Sequence, residues 1–176
     1  MAEVPPELVA ESSRMDAPDL GSGLVFASQL VEDAQEITFA DVARVDLALQ
    51  QKVLLFDWWI RNEDRTLTEF GGNPNLLRTA GGGALRVFDL NLAFDETFDK
   101  ARFWRSHIFN GAVAGWSDEF KAEMKVQMRL ATDQLHAIWS ELPEEWQQAG
   151  GLDLTAVQEL LNRFETSPDE FWAIRQ

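Results

Sequence analysis

The chain's 176 residues fall within the roughly 100–200 residues of one ordinary domain, enough to enclose a hydrophobic core. Its 45% apolar and 11% aromatic content is globular, no run reaches the ~18 apolar residues of a membrane helix, and with no cysteine it holds no disulfide, thiolate nucleophile or Cys-ligated metal. Fifteen Lys and Arg against thirty Asp and Glu leave a formal charge of −15, which repels phosphate backbones and argues against nucleic acid as a partner.

The N-terminal MAEVPPELVAESSR has no basic segment leading into an apolar one, so no secretory signal and no membrane partner are expected, and cytoplasm is the simplest location. Pro5-Pro6 followed by ELVAESSRM predicts a short helix, then a loop over 16–23. The partial alternation of LVFASQLV predicts a strand over 24–31. Thr38 with Asp41 three residues on reads as a capping box. The apolar positions from Val42 to Ile60 are too many for one narrow stripe, so they predict two successive helices or one whose C-terminal part is deeply buried, ending near Arg61 or Asn62. The adjacent Trp58 and Trp59 cannot share a helix face, and at least one belongs to the core.

Leu76-Leu77 and Leu85-Arg86-Val87-Phe88 flank a linker containing Gly81-Gly82-Gly83, a hairpin signal. Beyond Phe94 the pattern turns helical: 95–109, then a long helix over 117–142 capped by Ser117 and ended by Pro143, one opened by Thr155 and Gln158 running to about Phe164, and a last one opened by Ser167-Pro168. Trp104, Trp116, Trp139, Trp146 and Trp172 are expected to build the helical core, and His107 and His136 to be structural histidines. The expected class is α+β, mostly α, as a single domain over 1–176 with a small β-hairpin.

Candidate chemistry concentrates between Leu54 and Phe94. Phosphoryl transfer asks for a carboxylate to orient the attacking hydroxyl, and a carboxylate with an amide oxygen to hold Mg²⁺ against the phosphates. Asp64, Asn75 and Asp89 are of those types, and a hairpin brings Asn75 and Asp89 to one rim. The same residues also read as plain structure: Asp64 and Asn62 as caps at a helix end, Asn73-Pro74-Asn75 as turn chemistry, Asp89 as a buried acid paired with Arg65 or Arg86. Spacing alone does not choose.

The stretches FDWWIRNEDRTLTEFGGNPNLL and VFDLNLAFDETFD resemble the catalytic region of HipA-like kinases, and the resemblance extends to GLVFASQL, FWRSHIF, LPEEW and LLNRFET. It implies a bacterial, toxin-antitoxin-like kinase C-lobe with ATP and Mg²⁺ as cofactors and a protein Ser/Thr as phosphate acceptor. Asp64 would be the catalytic aspartate with Asn62 and Arg65 in support, Asn75 and Asp89 the metal ligands, and Asn73, Asn75 and Asp89 the cofactor-binding set. Leu90 stands where the family often has His. None of Lys52, Lys100, Lys121 and Lys125 follows a strand and a Gly-rich loop, and Gly21-Ser22-Gly23 reads as a turn, so the chain is expected to lack the nucleotide-covering N-lobe and to act weakly alone, after completion by a separate N-lobe protein, or as part of a longer product. An uncovered hairpin side implies apolar surface for that partner or for a second copy. The alternative is a non-catalytic pseudokinase that binds a protein through its helical face.

Overall fold

The computed structural model describes residues 1–14, 21–79, 84–149 and 153–173. The chain divides into two compact units, Met1–Ala34 and Gln35–Gln176. In the first, β1 (Ala2–Val4) pairs antiparallel with β2 (Gly23–Val25), and α1 (Pro6–Arg14) starts at a proline whose missing N–H costs the first turn nothing. Of the strand expected over 24–31 only the first two residues are in β2: β1 offers three residues to pair with, and 26–31 pairs with no strand among the described residues. Most of the loop expected over 16–23 lies outside the described residues.

The second unit is α+β. β3 (Ala34–Glu36), β6 (Leu76–Thr79) and β7 (Leu85–Val87) form a sheet in the order β3-β6-β7, with β6 and β7 antiparallel, so the expected hairpin is present, with Leu76 opposite Val87. The Gly81-Gly82-Gly83 linker lies outside the described residues. β4 (Thr66–Thr68) and β5 (Gly71–Asn73) make a further hairpin where the sequence suggested only a loop. Its strands approach so closely that a Cβ on Gly72 would stand 2.5 Å from the Thr66 carbonyl oxygen.

Two successive helices lead into this region. α2 (Phe39–Val42) opens on the expected capping box, Asp41 accepting from the Thr38 N–H at 3.2 Å and its hydroxyl at 2.6 Å. α3 (Leu47–Ile60) is capped by Asp46 and ends at Arg61, whose φ of 58° is left-handed. From Val53 to Ile60 α3 is buried almost all round, and both tryptophans find partners for their indole N–H: Trp58 donates to the Phe171 carbonyl at 3.0 Å and Trp59 to that of Leu161 at 2.8 Å. Phe98, Phe103, Trp104 and Phe171 pack around the Trp58 ring.

The remaining elements are helical. They are α4 (Lys100–Ser106), a 3-10 turn at Asn110–Gly115, α5 (Asp118–Asp133), α6 (Leu135–Glu141), α7 (Glu144–Ala149), α8 (Leu154–Leu161), α9 (Arg163–Thr166) and α10 (Pro168–Phe171). The helix expected over 95–109 is shorter, because Asp95 spends its carboxylate on a turn with Thr97 and the cap falls to Asp99. That expected over 117–142 starts at Ser117 as foreseen but breaks at Gln134, whose N–H is shared between the Ala131 and Thr132 carbonyls. α8 is capped by Asp153 rather than Thr155. Trp104, Trp116 and Trp172 join the core as expected, whereas Trp139 and Trp146 lie outside it.

Candidate functional site

The site is built at the C-terminal end of α3, where one carboxylate organises four segments. Asp57 is fully buried, and both of its oxygens are saturated. Oδ1 accepts from Asn62 Nδ2 at 2.9 Å and Arg65 Nη2 at 3.2 Å; Oδ2 accepts from Arg65 Nε at 2.6 Å and lies 3.0 Å from His107 Nε2. The Phe109 N–H donates to His107 Nδ1 at 3.0 Å, which leaves the imidazole proton on Nε2, facing Asp57. Burial acts to raise the Asp57 pKa, but the hydrogen bonds from His107 and Arg65 and the guanidinium charge outweigh it and hold the group below its ordinary value. Burial lowers that of His107 against the pull of Asp57, consistent with a neutral ring.

Arg65 carries this order outward. Its Nη1 donates to the carbonyls of Pro74 at 3.1 Å and Asn75 at 2.5 Å, fixing the turn between β5 and β6. On that turn the Nδ2 groups of Asn73 and Asn75 donate to one oxygen of Asp64, Oδ2, at 2.5 and 3.3 Å. Asp64 Oδ1 takes no hydrogen bond among the described residues, nor does Asn75 Oδ1. Asp64 is half-buried, held from one side and open on the other.

Asp89 belongs to the second strand's end. The Phe88 N–H donates to the Asn75 carbonyl at 3.2 Å, extending the hairpin by one pair and setting Asp89 a single residue beyond Asn75's partner. Asp89 is exposed and has no hydrogen-bond or ion-pair partner among the described residues, so it is not the buried acid paired with Arg65 or Arg86. Of the five described non-glycine residues with left-handed φ, four lie on this stretch: Arg61, Asn75, Asp89 and Phe94. Asn and Asp tolerate that conformation; for Arg and Phe it is strained, a concentration typical of functional segments.

The six sequence candidates therefore divide. Asp64, Asn73 and Asn75 are joined directly, and Asp89 stands at the same hairpin end. Asn62 and Arg65 are fully buried, so they support the loop from beneath without reaching a ligand. Asp57 and Glu63 escaped the sequence reading, whereas His107 is the structural histidine expected, buried with Asp57 and the Phe109 N–H as its partners. Glu63 ties the loop to α4, accepting from the Asp99 N–H at 2.9 Å and pairing with Arg102. The available clue was the polar Asp57 inside an apolar helical run, a position that demands buried partners.

Among the described residues no three His, Cys, Asp or Glu cluster as a metal site. The oxygens left uncommitted near the hairpin end, Asn75 Oδ1 and the Asp89 carboxylate, are the hard donors Mg²⁺ prefers, and two protein ligands are usual for an ion that keeps several waters. The donor set fits. No described helix is long and apolar enough to cross a membrane.

A family model described as HipA-like kinase matches residues 1–175. The chain belongs to the HipA-like kinase family. Its function is of the kinase type, and this family in general implies ATP and a divalent metal. No curated protein and no solved structure matches the chain.

Proposed function

We propose that this HipA-like kinase transfers the ATP γ-phosphate to a Ser or Thr hydroxyl of a protein, with Asp64 orienting and receiving the proton of that hydroxyl. The observation carrying this reading is the state of Asp64: two amides hold one oxygen while the other stays uncommitted, on a loop pinned from below by a buried arginine. Such fixation is what positioning catalysis requires, since a base must be held within hydrogen-bond reach of the proton it takes. Asn75 and Asp89 would hold Mg²⁺, which when bound neutralises charge on the transferring phosphate. Asn75 links the two halves of the site: its nitrogen sits on Asp64, and its uncommitted oxygen, on a residue only 2% exposed, would meet a metal seated against the hairpin end.

Exposed apolar side chains support a partner on this side. Phe70, at the tip of the β4–β5 hairpin, is 93% exposed, and Phe88 and Leu90 flank Asp89 with substantial exposure. We assign this surface to a protein partner. The same surface favours a second reading, a non-catalytic module that binds its partner there. Calorimetry of Mg·ATP, with and without the product of the neighbouring gene, compares the two. Binding by the wild type that Asp89→Asn loses and Asp64→Asn retains, together with phosphate transfer lost in both variants, supports the kinase. No Mg·ATP binding under either condition leaves the module.

A further inference from the structure

A cavity of about 510 Å³ lies at the C-terminal end of α3, and none of Asp64, Asn73, Asn75 and Asp89 lines it. Two half-buried guanidinium groups, Arg61 and Arg163, face it. Arg163 is partly committed: Nε donates to the Leu160 carbonyl at 2.9 Å, and Nη2 to those of Trp58 at 3.2 Å and Trp59 at 3.0 Å, which closes the end of α3. Its Nη1 makes no hydrogen bond among the described residues. The Arg61 side chain has no hydrogen bond or ion pair among the described residues. In a chain with twice as many acids as bases, two neighbouring arginines without an ion pair to a carboxylate among the described residues are unusual.

The two cations also act on each other. Burial first, and then the charge of Arg61, pull the Arg163 pKa down to about 10, with Glu170 opposing only in part. A doubly charged anion between them relieves that repulsion. We propose that this cavity binds a phosphate monoester carrying an apolar organic group, the phosphate between Arg61 and Arg163 Nη1. A phosphate monoester carries nearly two negative charges at neutral pH and matches the pair better than a carboxylate. Phosphate alone would leave most of the volume empty, and Phe94, Val157 and Leu160 supply an apolar wall for the rest of the ligand. Glu96, Asp153 and Glu159 stand exposed at the rim, where they repel extended polyanions and restrict the ligand to one compact charge.

The assignment does not depend on the kinase reading and is tested without nucleotide or metal. Calorimetry compares phenyl phosphate, inorganic phosphate and phenol on the wild-type chain and on Arg61→Gly. Glycine accepts the left-handed φ at position 61, so this variant removes the guanidinium while easing the backbone; Arg61→Asn, also at home there, serves as the second variant. Saturable one-to-one binding of phenyl phosphate, weaker for inorganic phosphate and absent for phenol, is expected, with affinity falling about tenfold or more in both variants. Binding should persist in Asp89→Asn, which separates it from any nucleotide site. No saturable binding by the wild type, or equal affinity in folded Arg61→Gly, overturns the site. Equal affinity for inorganic phosphate and phenyl phosphate overturns the organic part of the ligand.

Discussion

Asp57 and Asp89 lie at the two extremes of one site. Asp57 is sealed near the C-terminal end of α3 with four donors on its two oxygens, whereas Asp89 stands exposed at a hairpin end with no partner among the described residues. A carboxylate of the first kind is spent on structure: it orders Arg65, which orders the Asn75 turn. One of the second kind contributes little to the fold and is free for a ligand. On the proposed reading, side-chain type does not separate scaffold from chemistry in this protein; the number of lone pairs already taken does.

The largest test of that contrast is Asp57→Asn, which leaves the buried Arg65 charge uncompensated and should cost about 3–5 kcal/mol in urea unfolding. A loss under 1 kcal/mol would make Asp57 as dispensable as a surface acid. Next is Gly72→Ala. The added Cβ would meet the Thr66 carbonyl 2.5 Å away, and a backbone neighbour yields little, so about 1–3 kcal/mol is expected on the same measurement.

His107 sharpens the comparison through pH. Its folded pKa lies below the ordinary 6.5, so below pH 6.5 the unfolded chain takes up a proton that the folded chain refuses. Stability is full above about 6.5 and falls as pH drops toward the folded value, by up to about 1.4 kcal/mol per pH unit. His107→Gln should flatten that slope between pH 6.5 and 5; an unchanged slope would place the titration elsewhere. Asp57, also depressed, adds stability above its ordinary 3.8 that is lost as pH falls through its folded value. The smallest effect on folding belongs to Asp89→Asn, which should leave the unfolding midpoint unchanged while abolishing Mg²⁺-dependent ATP binding. A large midpoint shift would make Asp89 a structural residue after all.

Local chemistry made much of this readable in advance. The Thr38–Asp41 capping box, the Ser117 cap, Pro6 at a helix start and the paired apolar runs around Gly81-Gly82-Gly83 each act over a few residues, and each marks an element that is present. The end of α3 near Arg61 was legible for the same reason. Elements that depend on distant partners were not. Strand β2 is as short as β1 allows, and the β4–β5 hairpin has too few apolar residues to announce a strand.

The site divides along the same line. Residue types along the chain offered Asp64, Asn75 and Asp89 without choosing between chemistry and plain structure, and the motifs' resemblance to HipA-like kinases added Asn73 and the family, because those depend only on order in sequence. Burial of Asp57, its pairing with Arg65 and His107 fifty residues away, and the two amides on one Asp64 oxygen depend on which segments fold together. Hydrogen bonds between residues far apart in the chain are satisfied only after packing has excluded water, so tertiary structure alone decided which acids were already spent and which remained free.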